Sequence, residues 1–191
     1  RERFLPWKAE ELEDVIDGRR DVWVQDAASA EPVLLARDAS GTPSLICDLC
    51  AGQGTKTRQL RAEFPNATIV AADTDRGRLD SLEATFADDD GVVTAELGPG
   101  LHPWLEKADL ILLDVPCSNS GVLPRRPEAR ARLTQQTLAR LGDEQRQIFA
   151  DAIPLLSPRG RVLYATCSLE AEENSEIAAW AGTWHGLKVR R

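Results

Sequence analysis

The chain has 191 residues, with 23 Lys and Arg against 31 Asp and Glu, for a net charge of −8. That length supports one domain with its own core, and 42% hydrophobic with 28% charged residues reads as globular. No apolar run approaches the ~20 residues of a membrane helix, and the acidic balance means that any nucleic-acid role must rest on a local basic cluster.

Residues 1–40 are expected to form a charged lead-in segment packed on a catalytic domain over 41–191. Within it, Val22 to Ala36 starts strand-like and continues as a helix that Asp26 can cap. Ser44–Leu49 is a short apolar strand, followed by a glycine-containing turn and a helix to about Phe64. Thr68–Asp73 is a second buried-type strand, and Leu79, Leu82 and Phe86 give helical spacing over Asp75–Phe86. Val92–Leu97 is a weak third strand broken by the glycines at 98 and 100. Ala108–Asp114 is the fourth strand and leads into the loop PCSNSGVLPRRP. A helix is predicted over Asp143–Leu156, with Ile148, Ala152, Leu155 and Leu156 toward the core. The turn SPRG then launches a fifth strand, Arg161–Cys167, and Glu170–Trp184 reads as a helix. Strands alternating with helices imply a mostly parallel sheet covered on both faces, a Rossmann-like α/β fold.

The first strand, the turn and the second strand carry a cofactor pattern. Gly52 and Gly54 permit a tight turn and close backbone approach, and the helix behind them presents a partial positive charge. Asp73 ends the next strand, 19 residues after Gly54, where an acid accepts hydrogen bonds from ribose hydroxyls. Thr57 stands where a dinucleotide-binding chain has its third glycine. The pattern therefore suits one ribose and no diphosphate, as in S-adenosyl-L-methionine.

Cys117 and Cys167 each follow an apolar strand, at the strand end where an open α/β sheet puts its chemistry. Cytosine methylation at carbon 5 needs a thiolate that adds at carbon 6. Asp114, three residues before Cys117, is placed to engage ring nitrogen 3. The alternative reading makes both cysteines small buried apolar residues. Four cysteines in all are too few for a disulfide framework and suit a reducing cytoplasm. Cys47 and Cys50 form a CxxC that could serve as half a zinc site, but the strand context disfavours it and no metal is expected. His102 and His185 read as surface residues. Arg125, Arg126, Arg130 and Arg132 crowd the loop after Cys117 and could hold phosphate, or form a solvated surface.

DLCAGQGTKT, VAADTD, LLDVPCSNSGVLPRRP and LYATCSLEAEENSEI resemble, in order and spacing, the motifs of the Fmu/Sun-type (Nol/Nop/Sun) RNA cytosine carbon-5 methyltransferases, and VQDAAS at 24–29 is similar to their preceding segment. The resemblance covers about residues 22–180. It implies a class I methyltransferase fold, S-adenosyl-L-methionine as methyl donor, and ribosomal or transfer RNA as substrate. It also implies that Cys167 attacks the base and Cys117 assists product release. Cys50, Ala51, Gly52, Gln53, Gly54, Thr55, Lys56, Asp73 and Asp114 match the family's cofactor-contacting positions, and Lys56 steadies Asp114 or the substrate. The chain departs from the family at Gln53 and Thr55, where PGGKT is usual, and at Pro99, where a loop acid is usual, with Glu96 nearby but out of register. The family's sheet has two further strands after the last helix, and LKVRR is at most the start of one. Because the chain has no methionine, it is read as part of a longer protein, and a monomer is expected. A catalytically weak homologue serving as an RNA- or protein-binding module is the alternative reading.

Overall fold

The computed structural model describes residues 22–190. Five parallel strands form one sheet: β1 (Leu45–Asp48), β2 (Thr68–Asp73), β3 (Val92–Glu96), β4 (Ala108–Asp114) and β5 (Leu156–Ala165). Their order is β3-β2-β1-β4-β5. The chain winds outward from β1 in one direction through β2 and β3, and in the other through β4 and β5. The crevice between β1 and β4 is thus the topological switch point, where such sheets bind ligands.

Among the described residues, five helices cover the sheet: α1 (Ala27–Ser40), α2 (Thr55–Glu63), α3 (Arg76–Phe86), α4 (Gln135–Ala152) and α5 (Ser175–His185). The alternation of side chains along each strand sorts them into layers. Ile46, Ile69, Leu110 and Leu112 pack with Val33 and Ala36 of α1 and Leu60 of α2. Ala71, on the same sheet face as Ile69, packs with Leu79, Leu82 and Phe86 of α3. On the opposite face Cys47, Val70, Ile111 and Leu113 meet Phe149 and Ala152 of α4 and Ile177 and Ala181 of α5. β1 is buried along its whole length, which explains its uninterrupted apolar run. Edge strand β3 is only half-buried and correspondingly weak in sequence.

Several expectations need correction. Residues 22–26 are not a strand. Trp23 Nε1 donates to Gln25, and Gln25 Nε2 donates to Gln59 of α2, so side chains rather than a ladder fix this segment. Helix α4 begins at Gln135 behind a Thr134 cap, eight residues before the predicted start at Asp143. Its buried side is Leu138, Leu141, Gln145, Phe149 and Ala152, whereas Leu155 lies in a short 3-10 turn and Leu156 opens β5. SPRG is part of β5, and the β4–β5 register shifts between Ala108 and Leu110. The last helix starts at Ser175 after a 3-10 turn over Ala171–Glu173. His185 is half-buried, with its ring 6.0 Å from that of Phe149 in a stacked arrangement. Leu187–Arg190 form no strand. Of the expected lead-in segment over 1–40, residues 1–21 fall outside the described residues.

Candidate active site

The loops at the carboxyl ends of β1, β2, β4 and β5 enclose a cavity of about 1190 Å³. That exceeds the ~300–1,000 Å³ typical of a site for one small ligand. Its wall includes Cys50, Lys56, Asp73, Asp114, Cys117 and Cys167.

On the β1–β2 side, Gly52 and Gly54 both have positive φ, at 58° and 83°. A side chain at Gly54 would also collide with Leu82 and Phe86, at 2.9 and 2.8 Å, so packing and backbone both require glycine there. Gly54 caps α2 without any side-chain hydrogen bond, which leaves the donor end of that helix available. The buried Asp73 carboxylate accepts the Gly52 N–H at 2.9 Å and the Asp75 N–H at 3.0 Å. Arg78 Nη1 also lies 3.5 Å from Asp73 Oδ2 as a loose ion pair, and with about four acceptor positions the carboxylate keeps capacity for a diol. A buried acid with spare acceptors beside an open glycine turn fits the ribose end of S-adenosyl-L-methionine, and the uncapped helix fits its carboxylate. Thr57 Oγ1 donates to Asp48 at 2.7 Å and ties α2 to β1. Glu96 and Pro99 are exposed and do not line the cavity.

At the switch point, Lys56 Nζ lies 2.6 Å from Asp114 Oδ2 and 2.8 Å from Ser29 Oγ. The first helix therefore contributes to the site through Ser29. Asp26 both caps α1 and pairs with Arg125, fastening the arginine loop to the same helix. Arg126 also lines the cavity, and Arg130 is exposed.

The sulfurs of Cys117 and Cys167 stand 3.2 Å apart, Cys167 exposed and Cys117 half-buried. The hydrogen bond between them favours the Cys167 thiolate and lowers its pKa to about 7, although burial and Asp114 oppose this. The same bond, reinforced by burial, pushes the Cys117 thiol up. Burial pushes the Cys50 thiol up; it also pushes Cys47 up to about 12, and Cys47 lies in the core rather than in the cavity wall.

Backbone and buried polar groups lock the two cysteine loops together. Gly121 N–H donates to the Cys167 carbonyl at 3.0 Å, and a Cβ at Gly121 would lie 2.8 Å from that oxygen. Glu173 is fully buried and accepts from Ser118 N at 2.9 Å, Ser118 Oγ at 2.5 Å and Gln145 Nε2 at 3.0 Å. Ser168 Oγ lies 3.2 Å from both Ser118 Oγ and Ser120 Oγ. The single Tyr164 hydroxyl proton is shared between two acceptors, the Glu173 carbonyl at 2.9 Å and Gln145 Oε1 at 3.1 Å.

Residues 34–181 match the family described as 16S rRNA methyltransferase RsmB/F. The chain belongs to the RsmB/F family. Two curated relatives are ribosomal RNA small subunit methyltransferase B of Salmonella arizonae, 35% identical over 158 residues, and that of Photorhabdus laumondii subsp. laumondii, 35% identical over 159. Each alignment covers 81% of this chain but only 36% and 37% of the respective relative. Among solved structures, a methyltransferase homolog from Pyrococcus horikoshii is 27% identical with a TM-score of 0.67, covering 85% of this chain and 51% of that one. NSun6 from Pyrococcus horikoshii, crystallised with SFG, is 24% identical with a TM-score of 0.76 and covers 98% and 47%. The fold is the Rossmann-like class I methyltransferase fold.

Several RsmB/F residues that shape this site escape a reading of the sequence alone. Ser29 and Glu173 lie within quoted motifs, VQDAAS and SLEAEEN, yet nothing in the motifs themselves shows that one reaches Lys56 and the other Ser118. Asn119 also lies within a quoted motif, LLDVPCSNSGVLPRRP, which does not show that it reaches Cys167, and Gln145 carries no sequence signal; both join the site because the fold brings α4 and the two loops together.

Proposed function

We propose that this chain carries the catalytic domain of an S-adenosyl-L-methionine-dependent RNA cytosine carbon-5 methyltransferase acting on ribosomal or transfer RNA. One observation carries the reading: two thiols 3.2 Å apart share a cavity with an acid poised for a ribose. RsmB/F membership supports the substrate class.

In this reading Cys167 adds as thiolate to carbon 6 of cytosine. Its exposure and lowered pKa support that role, whereas Cys117, the hydrogen-bond donor to it, keeps its proton. Asp114, held by Lys56, shares a proton with ring nitrogen 3 and so draws electron density from carbon 6. Asp73, the glycine turn and the start of α2 bind and orient the cofactor. When bound there, S-adenosyl-L-methionine would supply an electrophilic methyl group to carbon 5, its sulfonium sulfur–methyl bond breaking to leave a neutral thioether. The carbon-5 proton then departs to a base and the carbon 6–sulfur bond breaks, returning Cys167 as thiolate. Cys117 sits where it assists this elimination. Arg125 and Arg126 at the cavity mouth offer phosphate contacts on a chain that is acidic overall.

The test is covalent trapping on an RNA containing 5-fluorocytosine, since fluorine at carbon 5 blocks the release step. Cys167→Ala should abolish both methylation and trapping, and Cys117→Ala should accumulate an adduct on unmodified RNA. Loss of trapping in Cys117→Ala with retention in Cys167→Ala would reverse the two roles. Asp73→Ala serves as the control that loses cofactor binding.

A further inference from the structure

Asn119 follows Ser118 in the Cys117 loop and has a left-handed backbone, with φ 62° and ψ 27°. Asparagine tolerates that region better than other residues with a side chain, apart from aspartate. Its side chain spans the two cysteine loops. Nδ2 donates to the Cys117 carbonyl at 3.2 Å, which fixes which end of the amide faces the other loop. Oδ1 then accepts the Cys167 S–H at 2.8 Å. The Cys167 sulfur thus lies between two partners of opposite character. Asn119 offers an acceptor, which suits the neutral thiol. Cys117, at 3.2 Å, offers a donor, which suits the anion.

We propose that Asn119 is a positioning residue for the attacking thiol, aiming the Cys167 sulfur through its side-chain oxygen and holding the proton on it until a base enters. The inference rests on the reading of Cys167 as the nucleophile. When the proton leaves to solvent, the anion faces a carbonyl oxygen at 2.8 Å, and the negative end of that dipole opposes it. Thiolate formation therefore requires the Asn119 contact to loosen while the Cys117 contact strengthens. The charged groups acting on the sulfur from neighbouring elements are Asp114 at the end of β4, which disfavours the anion, and Lys56 on α2, which favours it. Those two neutralise each other across 2.6 Å, so the amide has leverage on the thiol.

The experiment measures the pH dependence of iodoacetamide alkylation at Cys167, resolved from the other three cysteines by peptide mass spectrometry, without RNA or methyl donor. In the unsubstituted chain the rate should rise with a midpoint near pH 7. Asn119→Gly removes the acceptor and accepts positive φ without strain. It should lower the midpoint by about half a unit, roughly a threefold faster rate on the acid limb. Asn119→Asp keeps the shape and puts a carboxylate in its place, and should raise the midpoint by about one unit or more. A role in loop structure alone would change the rate at every pH alike without moving the midpoint. Unmoved midpoints, or shifts in the same direction for both variants, overturn the proposal. The readout is separate from methylation: opposite shifts together with failed RNA trapping would sink the catalytic reading of Cys167 and leave the Asn119 interaction standing.

Discussion

Removing the Glu173 carboxylate should loosen the clamp on both cysteine loops, by an amount that follows from its three donors. In Glu173→Ala, Gln145 Nε2 keeps the Pro116 carbonyl at 2.9 Å and Ser118 Oγ keeps Ser168 Oγ at 3.2 Å. The buried Ser118 N–H keeps no other acceptor among the described residues. One orphaned amide costs about 1–3 kcal/mol and each of the two weakened donors about 1 kcal/mol, so the total is about 3–5 kcal/mol. Against a native stability of ~5–15 kcal/mol this is a large fraction. At ~2–4 °C per kcal/mol for a domain of this size, Tm should fall by about 10 °C. Glu173→Gln behaves differently. Its amide oxygen can take the Ser118 N–H and Gln145 Nε2, and its amide nitrogen can donate to Ser118 Oγ, which turns its proton toward Ser168. The cost is then only the charge assistance, about 1 kcal/mol. Urea unfolding followed by circular dichroism, with thermal scans beside it, measures both. A glutamine variant as unstable as the alanine variant, or an alanine variant within about 1 kcal/mol of the parent, would refute this account of the clamp.

Gly121→Ala should separate the thiols, because the added methyl would lie 2.8 Å from the Cys167 carbonyl, a backbone atom that cannot swing aside. Trapping on 5-fluorocytosine RNA should fall at least tenfold, while cofactor affinity by calorimetry, set on the β1–β2 side, stays within about twofold; an unchanged trapping rate would contradict the crowding argument. Burial pushes the Asp48 carboxyl up to about 7, despite the hydrogen bond from Thr57. The native form thus holds this proton more tightly than the unfolded chain does. Its contribution to stability is full below about pH 4 and is lost as pH rises through about 7. The Tm of Asp48→Asn relative to the parent should therefore climb across that window and level off above it, and parallel curves would contradict the assignment.

The strands that build the floor of the site were legible because they are buried on both faces. An uninterrupted run such as LICD or LILLD has no solvent side to interrupt it. The first two turns of α4 were hidden by composition: QQTLARLGDE shows two leucines among polar residues, and one of its deepest contacts is a glutamine, Gln145. SPRG looked like a turn because it contains Pro158 and Gly160. In fact Pro158 lies between Leu156 and Arg161, where the β4–β5 ladder is irregular and a missing donor is tolerated, and Gly160 passes so close to Ala108 that a Cβ there would lie 2.5 Å from its carbonyl oxygen. In the cavity wall, Cys50, Asp73, Asp114, Cys117 and Cys167 stand at or just after strand ends, positions that a strand pattern reveals, and Lys56 stands at the start of the helix behind the glycine turn. Ser29, Asn119, Gln145 and Glu173 owe their roles to partners 27 to 55 residues away, such as Lys56, Cys167 and Ser118, and no local pattern encodes such meetings.

The pairing of β1 with β4 also fixes when in folding the site comes into being. Ile46 lies beside Leu110, and Asp109 accepts the Ser44 N–H across 65 residues of chain. Closing a loop of that length is slow compared with forming α2 or α3, so the central seam forms late on the folding pathway. A chain emerging during synthesis and ending before residue 108 has β1 with one edge bare and no thiol pair at all. Such an intermediate presents an apolar, unpaired strand edge to its neighbours. Pairing β4 with β1 removes this hazard, and the docking of β5 on β4 then brings Cys167 to Cys117 and creates the reactive crevice.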